Sequence, residues 1–292
     1  MPIDNGIGHS DCTAGKQEGL AAILRQHIAI VKRVFDNNKW YPQTYYYFDL
    51  YAGSGSNPEE GCDGSPVIFL KTAKDQLDFW AAFIEQEEGN AIYLRAATAF
   101  INSHVIYEGD NKEILPGLLN GIPKHSYGLI YADPNGLANF NLLSQAAKTR
   151  RKLDILIHYP AASAKRNNRD LLEYLKIVGK SVWLIREPEG KHQWTFLFGT
   201  NYSEYKAWRS YGFYRWDEPK GMDILETLTH TKTEIQNMHE VVFQRANNIC
   251  EKCHVAIATE INHLSYKPPC DIPENMIAVC HRCHCEIHGK EN

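Results

Sequence analysis

The chain has 292 residues, of which 43% are hydrophobic and 23% charged, and its formal net charge is −4. This composition is ordinary for a soluble globular protein, and the charge excludes a global basic field that would attract nucleic acid. Residues 1–16 contain no apolar run, and no segment is apolar over the length that a membrane span needs. We therefore expect a cytoplasmic protein without a signal peptide or membrane span, built as one α/β domain with a small appendage.

An amphipathic helix over 15–38 begins the predicted fold, and an aromatic strand that delivers Asp49 to its carboxyl end follows it. Gly53 and Gly55 then allow the backbone to turn tightly and to approach a ligand without an intervening Cβ. The pattern resembles the first motif of S-adenosylmethionine (SAM)-dependent methyltransferases, D-x-x-x-G-x-G. After a long loop, Ser65 is predicted as the N-cap of the next helix and Pro66 as its first residue.

Three later strands also end in an acidic residue: Glu85 after 79–84, Asp110 after 105–107 and Asp133 after 128–132. A carboxylate at the second strand suits the two hydroxyls of a ribose, and Asp110 could accept from an adenine amine. Taken singly, each acid is explained as well by a helix cap or a solvated loop. Four of them at the ligand-binding edge of a parallel sheet favour a nucleoside-containing cofactor.

Strands at 153–158, 181–186 and 193–198 complete the predicted sheet. The connection between the last two is too short for a helix, so the final strand must run antiparallel. We predict an α/β, Rossmann-like methyltransferase fold, with a mostly parallel seven-stranded sheet whose last strand is antiparallel. The predicted boundaries are a SAM-binding domain with its N-terminal helix at 1–223, a bridging helix at 224–246 and a small module at 247–292.

At finer grain the chain resembles the three-Cys-motif partner (TcmP) family, a group of methyltransferase-like proteins from bacteria and phages. The resemblance covers 15–229 and rests on short motifs at 49–55, 64–66, 84–85, 109–110 and 133–134. It implies SAM binding, and through the family's name it implies a cysteine-motif partner protein, but no substrate. The cofactor-binding residues that it implies are Asp49, Tyr51, Gly53, Gly55, Glu85 and Asp110.

The end of the fourth strand carries the predicted chemistry. Methyltransferases that act on exocyclic amines of bases have an acid or amide, two prolines and an aromatic residue there. Asp133 and Pro134 keep the acceptor and one proline, and we predict them as catalytic, with Phe140 or Tyr159 as a ring that stacks on a base. Another interpretation, in which Asp133 caps the next helix or holds the cofactor's amine, stays open.

A basic loop follows the fifth strand and contains Lys165, Arg166 and Arg169. The topology places this loop at the same edge as the glycine loop. We predict a contact with nucleic-acid phosphates there.

Six of the eight cysteines lie between residues 250 and 285. Two C-x-x-C pairs, Cys250 with Cys253 and Cys280 with Cys283, are separated by 26 residues. In a cytoplasmic chain this spacing predicts a tetrahedral structural Zn²⁺ site rather than disulfides. So small a module has little core, and we expect zinc to supply much of its folding free energy.

The segment around these pairs resembles the HNH (ββα-metal) nuclease module. The resemblance implies His263 as the general base, Asn262 and His284 as ligands of a catalytic Mg²⁺ or Mn²⁺, and Asn275 as a residue that shapes the loop. Many members carry an aspartate or histidine where this chain has Asn262, and a neutral amide is a poorer ligand for a hard cation.

Three functions follow from these motifs. The preferred one is a SAM-dependent methyltransferase that acts on a base of DNA or RNA, with the zinc module binding the substrate. The alternative is a metal-dependent nuclease, for example in phage defence, whose methyltransferase-like half senses SAM or positions DNA. A third is a binding module that has lost both chemistries. The intact cofactor motif and the altered nuclease motif favour the first.

Overall fold

The centre of the fold is an eight-stranded sheet, as seen in a computed structural model of the chain. The structure describes residues 13–40, 42–57, 61–134, 136–160, 171–189, 194–203, 206–228, 232–264 and 273–287. The strands of the sheet are β1 (Tyr45–Asp49), β4 (Phe79–Glu85), β5 (His104–Glu108), β6 (Tyr127–Ala132), β7 (Leu153–Pro160), β8 (Val182–Arg186), β9 (Trp194–Thr200) and β10 (Phe213–Arg215). Two short strands, β2 (Ser56–Asn57) and β3 (Cys62–Asp63), form a separate hairpin in the loop after β1.

The strand order is β10-β8-β9-β7-β6-β1-β4-β5. Five strands from β7 to β5 pair in parallel, whereas β9 lies between β7 and β8 and pairs antiparallel with both. The predicted Rossmann-like methyltransferase fold, mostly parallel with an antiparallel seventh strand, is therefore confirmed. The count of seven strands is wrong, because Phe213–Arg215 pairs antiparallel with β8 and adds an eighth at the edge.

Helices cover both faces of this sheet because successive strand residues point to opposite sides. On one face α1 (Thr13–Asn37), α2 (Ser65–Ala73) and α3 (Glu88–Thr98) pack with Tyr45, Tyr47 and Phe83. On the other, Phe48, Ile130 and Ile157 pack with the remaining helices of this unit. Those helices are α4 (Asn111–Gly121), α5 (Phe140–Thr149), α6 (Leu171–Val178) and α7 (Pro219–Leu228).

Helix α1 crosses the sheet from its carboxyl edge to its amino edge. Its apolar positions recur every three or four residues from Leu20 to Phe35 and are buried, as an amphipathic helix requires. Near the amino edge, Nδ1 of His27 lies 2.6 Å from the Tyr45 hydroxyl and Nε2 lies 3.1 Å from Oδ2 of Asp154. The first turns of α1 consequently lie over the carboxyl edge, where ligands bind in such sheets.

The start of α2 differs from the prediction. Ser65 is the first helical residue and Gly64 is the N-cap, with an extended backbone and no side-chain cap. The Ser65 side chain instead hydrogen-bonds to Asp49, at the end of β1. Ser65 therefore ties the helix to the strand rather than capping the helix.

The C-terminal part contains α8 (Lys232–Arg245), an antiparallel hairpin of β11 (Glu260–His263) and β12 (Met276–Val279), and α9 (His281–Ile287). Val242 of α8 packs with Ala258, Met276 and Ala278 in a small core. The predicted helix at 224–246 corresponds to α7 and α8, and residues 229–231 between them lie outside the described part. Ile224, Leu225 and Leu228 of α7 pack into the core of the large sheet.

No helix in the described part of the chain combines the length and apolarity that a membrane crossing needs.

Candidate functional site

The glycine loop after β1 forms the floor of the candidate site. Gly53 and Gly55 have φ angles of +61° and +76°, in the left-handed region that glycine adopts without strain. A Cβ at Gly55 would lie 2.8 Å from Cδ1 of Leu94, so this position has no room for a side chain. Beside Gly53 the space is open, which leaves room for a ligand to approach the backbone.

Glu85, at the end of β4, is fixed by the same loop. Its Oε2 accepts the N–H of Gly53 at 2.7 Å, and its Oε1 accepts the N–H of Glu87 at 2.8 Å and lies 3.5 Å from the Asn90 amide. Because a carboxylate has about four acceptor directions, Oε2 keeps one for a ribose hydroxyl. The free acceptor direction and the open loop therefore fit the ribose of a nucleoside such as that of SAM.

Asp49 lies beneath the loop and is fully buried. Burial raises the pKa of its carboxyl from 3.8 to about 7, although hydrogen bonds from the Ser65 side chain and from the Tyr51 N–H act in the opposite direction. The Tyr51 N–H lies 3.2 Å from Oδ1. This places Asp49 as an anchor of the turn, and the Tyr51 ring packs against the core on the face that carries α4.

Asp110 is the N-cap of α4, where Oδ1 accepts the N–H of Lys112 at 2.8 Å. The contacts of Asp110 in the structure are therefore those of a helix cap, which is one of the two explanations that the sequence allowed. Its partly exposed carboxylate keeps further acceptor directions.

Asp133, directly after β6, has partners on both carboxylate oxygens. Oδ2 lies 2.9 Å from Nζ of Lys16 and accepts the Tyr131 hydroxyl at 3.0 Å, and Oδ1 lies 2.7 Å from Nδ1 of His158. Burial raises the pKa of Asp133, but His158 and Lys16 together outweigh burial and hold it well below its usual range. Asp133 is thus an ionised carboxylate beside the glycine loop.

The alternative in which Asp133 caps the next helix is wrong, because the Asn139 side chain caps α5 by accepting the Leu142 N–H at 3.1 Å. Pro134, predicted with Asp133 as catalytic, accepts the N–H of Gly136 on its carbonyl at 2.8 Å. Phe140 and Tyr159 are almost fully buried, so neither ring is open to stack on a base.

The site also contains Lys16 and His158, which were not predicted. The sequence around each of them gives a reason to expect a buried partner. Lys16 stands one turn before Leu20 on the apolar face of α1, and His158 interrupts the apolar run of β7 near its carboxyl end. A polar side chain on a face that is otherwise buried needs a partner. The predicted phosphate contacts Lys165, Arg166 and Arg169 lie outside the described residues.

The four predicted zinc ligands come together. The Sγ atoms of Cys250, Cys253, Cys280 and Cys283 all lie within 4.8 Å of one another. At the first pair the Cys253 N–H donates to the Cys250 sulfur at 3.5 Å. Burial and the neighbouring sulfurs raise the pKa of the Cys283 thiol, and a bound cation would offset the repulsion among four thiolates. The cluster is compatible with structural zinc.

The predicted nuclease residues lie on β11 and α9. Asn262 is buried, and Nδ1 of His284 lies 2.5 Å from Oε2 of Glu260. Oε1 of the same carboxylate lies 2.6 Å from Nδ1 of His281. The side chains of His263 and Asn275 lie outside the described part of the structure. The sequence analysis missed Glu260, which shares a strand face with Asn262 two residues later.

Comparisons with known proteins give no family. No family model matches the chain, and no curated protein matches it. Among solved structures it is similar to protein LPL1258 from Legionella pneumophila, with 17% identity, coverage of 72% of this chain and 91% of that one, and a TM-score of 0.47. It is also similar to the METTL16 methyltransferase domain, with 13% identity, coverage of 60% of this chain and 66% of that one, and a TM-score of 0.42. A third similar structure is a fibrillarin/Nop5p complex, with 16% identity, coverage of 56% of this chain and 75% of that one, and a TM-score of 0.40. Because these TM-scores are below 0.5, the fold assignment depends on the strand order itself.

Proposed function

We propose that the chain is a SAM-dependent methyltransferase that acts on a base of nucleic acid, DNA or RNA. The observation that carries this proposal is the shared edge of β4, β1 and β6. These neighbouring strands present Glu85, the glycine loop and Asp133 side by side. A nucleoside cofactor held at Glu85 and Gly53 would have an ionised polar cluster next to it, at the position that an acceptor must reach.

In this proposal the residues of the chain bind the cofactor and orient the acceptor. Glu85 would hold the ribose hydroxyls, Gly53 would allow close approach, and Asp110 would stand at the adenine end as predicted. When bound, SAM supplies a methyl group on a positively charged sulfur. The Asp133 cluster would position the acceptor, and the four-cysteine module would hold the nucleic acid together with Lys165, Arg166 and Arg169. A cysteine-motif partner protein stays a prediction.

The part of the proposal that concerns SAM binding is tested by calorimetry. Glu85→Gln should weaken SAM affinity by about tenfold or more, because a charge-assisted hydrogen bond contributes about 1.5–3 kcal/mol. Glu87→Gln is the matched control, since Glu87 lies two residues away, is exposed and makes no side-chain cap. Equal affinity for the two variants would contradict the assignment of Glu85.

The transfer half is tested with SAM that carries a labelled methyl group, and with duplex DNA, single-stranded DNA and tRNA as acceptors. Label in nucleic acid that disappears in Asp133→Ala supports the proposal. Absence of SAM binding, or transfer that is unchanged in Asp133→Ala, would overturn it.

A nuclease function is the second candidate, and Glu260 is the observation that favours it. Its carboxylate contacts His284 and would supply the anionic ligand that Asn262 cannot give to Mg²⁺ or Mn²⁺. Asn262, Glu260 and His284 would hold the ion, and His263 would activate water. This candidate predicts cleavage that needs Mg²⁺ or Mn²⁺ and is lost in both His263→Ala and Glu260→Gln. Cleavage that persists in these variants would come from a contaminant.

A further inference from the structure

His158 stands directly beside Asp133 across two parallel strands. Ala132 of β6 pairs with Ile157 of β7, so the residues that follow them, Asp133 and His158, are neighbours at the carboxyl edge. Nδ1 of His158 lies 2.7 Å from Oδ1 of Asp133. The two atoms are not aligned as a hydrogen bond in the structure, but an imidazole whose Nδ1 lies this close to a carboxylate favours the tautomer with its proton on Nδ1.

The rest of the carboxylate is already engaged. Lys16 and Tyr131 contact Oδ2, and the acceptor hydrogen bonds that Asp133 could offer to a substrate amine are correspondingly few. Because this carboxylate is paired with the Lys16 ammonium, it is also a poor proton acceptor near neutral pH. The Pro134 carbonyl accepts the Gly136 N–H, and an amide carbonyl is in any case too weak a base to take a proton. Neither Asp133 nor Pro134 is therefore suited to take a proton.

Nε2 of His158 is the nitrogen that remains. Among the described residues no hydrogen-bond partner contacts this atom, although it is buried within the protein. The ring is packed by Trp194 and Phe196, whose centroids lie 5.7 and 5.8 Å from that of the imidazole. The side chain as a whole is 13% exposed, but both ring nitrogens are buried, so a substrate reaches Nε2 only after a neighbouring group has moved.

We propose that His158 is the general base of methyl transfer and that Asp133 is its positioning residue. The inference rests on the proposed function and names the acceptor as a nitrogen or oxygen that carries a proton. In the step, the N–H or O–H proton moves to Nε2 of His158. The electron pair left on the acceptor forms the new bond to the methyl carbon, and the pair of the broken carbon–sulfur bond stays on the sulfur. The imidazolium that results is stabilised by Asp133.

The tautomer of His158 gives a test that needs no turnover. Long-range ¹H–¹⁵N spectra of the full chain, labelled at histidine and saturated with S-adenosylhomocysteine, report which ring nitrogen carries the proton. The signals of His158 are identified by their absence in His158→Gln. We expect a protonated Nδ1 and a bare Nε2 in the wild type, and loss of this preference in Asp133→Asn. A neutral ring with its proton on Nε2 would overturn the proposal.

Single-turnover methyl transfer to duplex DNA, single-stranded DNA and tRNA gives the second test. His158→Gln should lower the transfer rate about 100-fold or more while SAM affinity stays within about twofold of the wild type. His125→Gln is the control, because His125 is an exposed histidine in a turn. A His158→Gln rate equal to the wild type would overturn the role of His158. A wild type that binds SAM but methylates none of the three acceptors would instead overturn the proposed function.

Discussion

The N–H of Gly64 donates to the carbonyl of Gly55 at 2.9 Å, and the two glycines touch through their backbones. A Cβ on Gly64 would lie 2.7 Å from the Gly55 carbonyl carbon and 2.9 Å from its oxygen. The long loop after β1 therefore returns onto itself at this contact before α2 begins. The contact closes residues 55–64 into a loop and holds Gly55, two residues after Gly53, at the floor of the proposed SAM site.

Gly64→Ala should weaken both the fold and the SAM site. The methyl group must push the Gly55 backbone aside, and overpacking of this kind costs about 1–3 kcal/mol of unfolding free energy. We expect a matching decrease in the urea midpoint and a lower SAM affinity by calorimetry. Gly117→Ala is the control, because no atom lies within 4 Å of its Cβ and the residue is helical, so it should be slightly stabilising. Equal effects of the two substitutions would contradict the contact.

Asp49→Asn should remove part of the pH dependence of stability. An acid whose pKa is raised on folding, here from 3.8 to about 7, binds its proton more tightly in the folded state. Its stabilising contribution is full below pH 3.8 and decreases as the pH rises to about 7, by about 4 kcal/mol at most. The amide carries no charge at any of these pH values, so the substitution should abolish this decrease and make the variant more stable than the wild type at alkaline pH.

The measurement for Asp49 is urea unfolding between about pH 4 and pH 8, followed by tryptophan fluorescence. All six tryptophans precede residue 217, so the signal reports the sheet and its helices. Asp75→Asn is the control because Asp75 is exposed. Identical slopes for wild type and Asp49→Asn would show that Asp49 is ionised throughout.

Cys280→Ser should release the metal and unfold the C-terminal hairpin and helix. We expect about one Zn²⁺ per chain in the wild type by elemental analysis and none in Cys280→Ser. Cys285→Ser should keep the zinc, because Cys285 is not among the four clustered cysteines and contacts His281 at 3.7 Å. Metal loss in Cys285→Ser, or full zinc in Cys280→Ser, would contradict the ligand set.

His27→Leu should destabilise the chain, because it removes the imidazole between Tyr45 and Asp154 and leaves a buried hydroxyl without this partner. We expect a loss of about 2–3 kcal/mol, and a coupling of about 1 kcal/mol in a double-mutant cycle with Tyr45→Phe. The measurement is again urea unfolding. Additive effects in the cycle would show that the hydrogen bond between the two side chains contributes nothing.

The alternation and length of apolar runs were enough to predict seven strands and their direction. Phe213–Arg215 was not predicted as a strand because three residues are too few to show the two-residue alternation of a strand. The aromatic residues around it would also pack well beside a helix. Ser65 was wrongly predicted as an N-cap because its local sequence fits one, whereas its side chain hydrogen-bonds to Asp49 instead. A short stretch of sequence does not show whether a side chain bonds to a local or to a distant partner.

Part of the candidate site could also be predicted from the sequence and part could not. The predictable residues are Glu85, Gly53 and the four cysteines, because strand ends and C-x-x-C turns place them without help from distant residues. The partners of Asp133 could not be predicted from spacing along the chain. Lys16 and His158 reach it from α1 and β7, and only the packing of α1 across the sheet brings these side chains to the same carboxylate.

The position of α1 also bears on how the chain folds during synthesis. This helix leaves the ribosome before the strands on which it packs, and its contacts join Lys16 to a residue 117 positions later, His27 to one 127 later and Gln26 to one 185 later. At roughly 5–20 residues per second, its apolar face waits on the order of 10–40 s for the strands that cover it. Such distant pairing slows folding, and it leaves the apolar face of α1 without its full cover, and so open to aggregation, until β7 to β10 have been made.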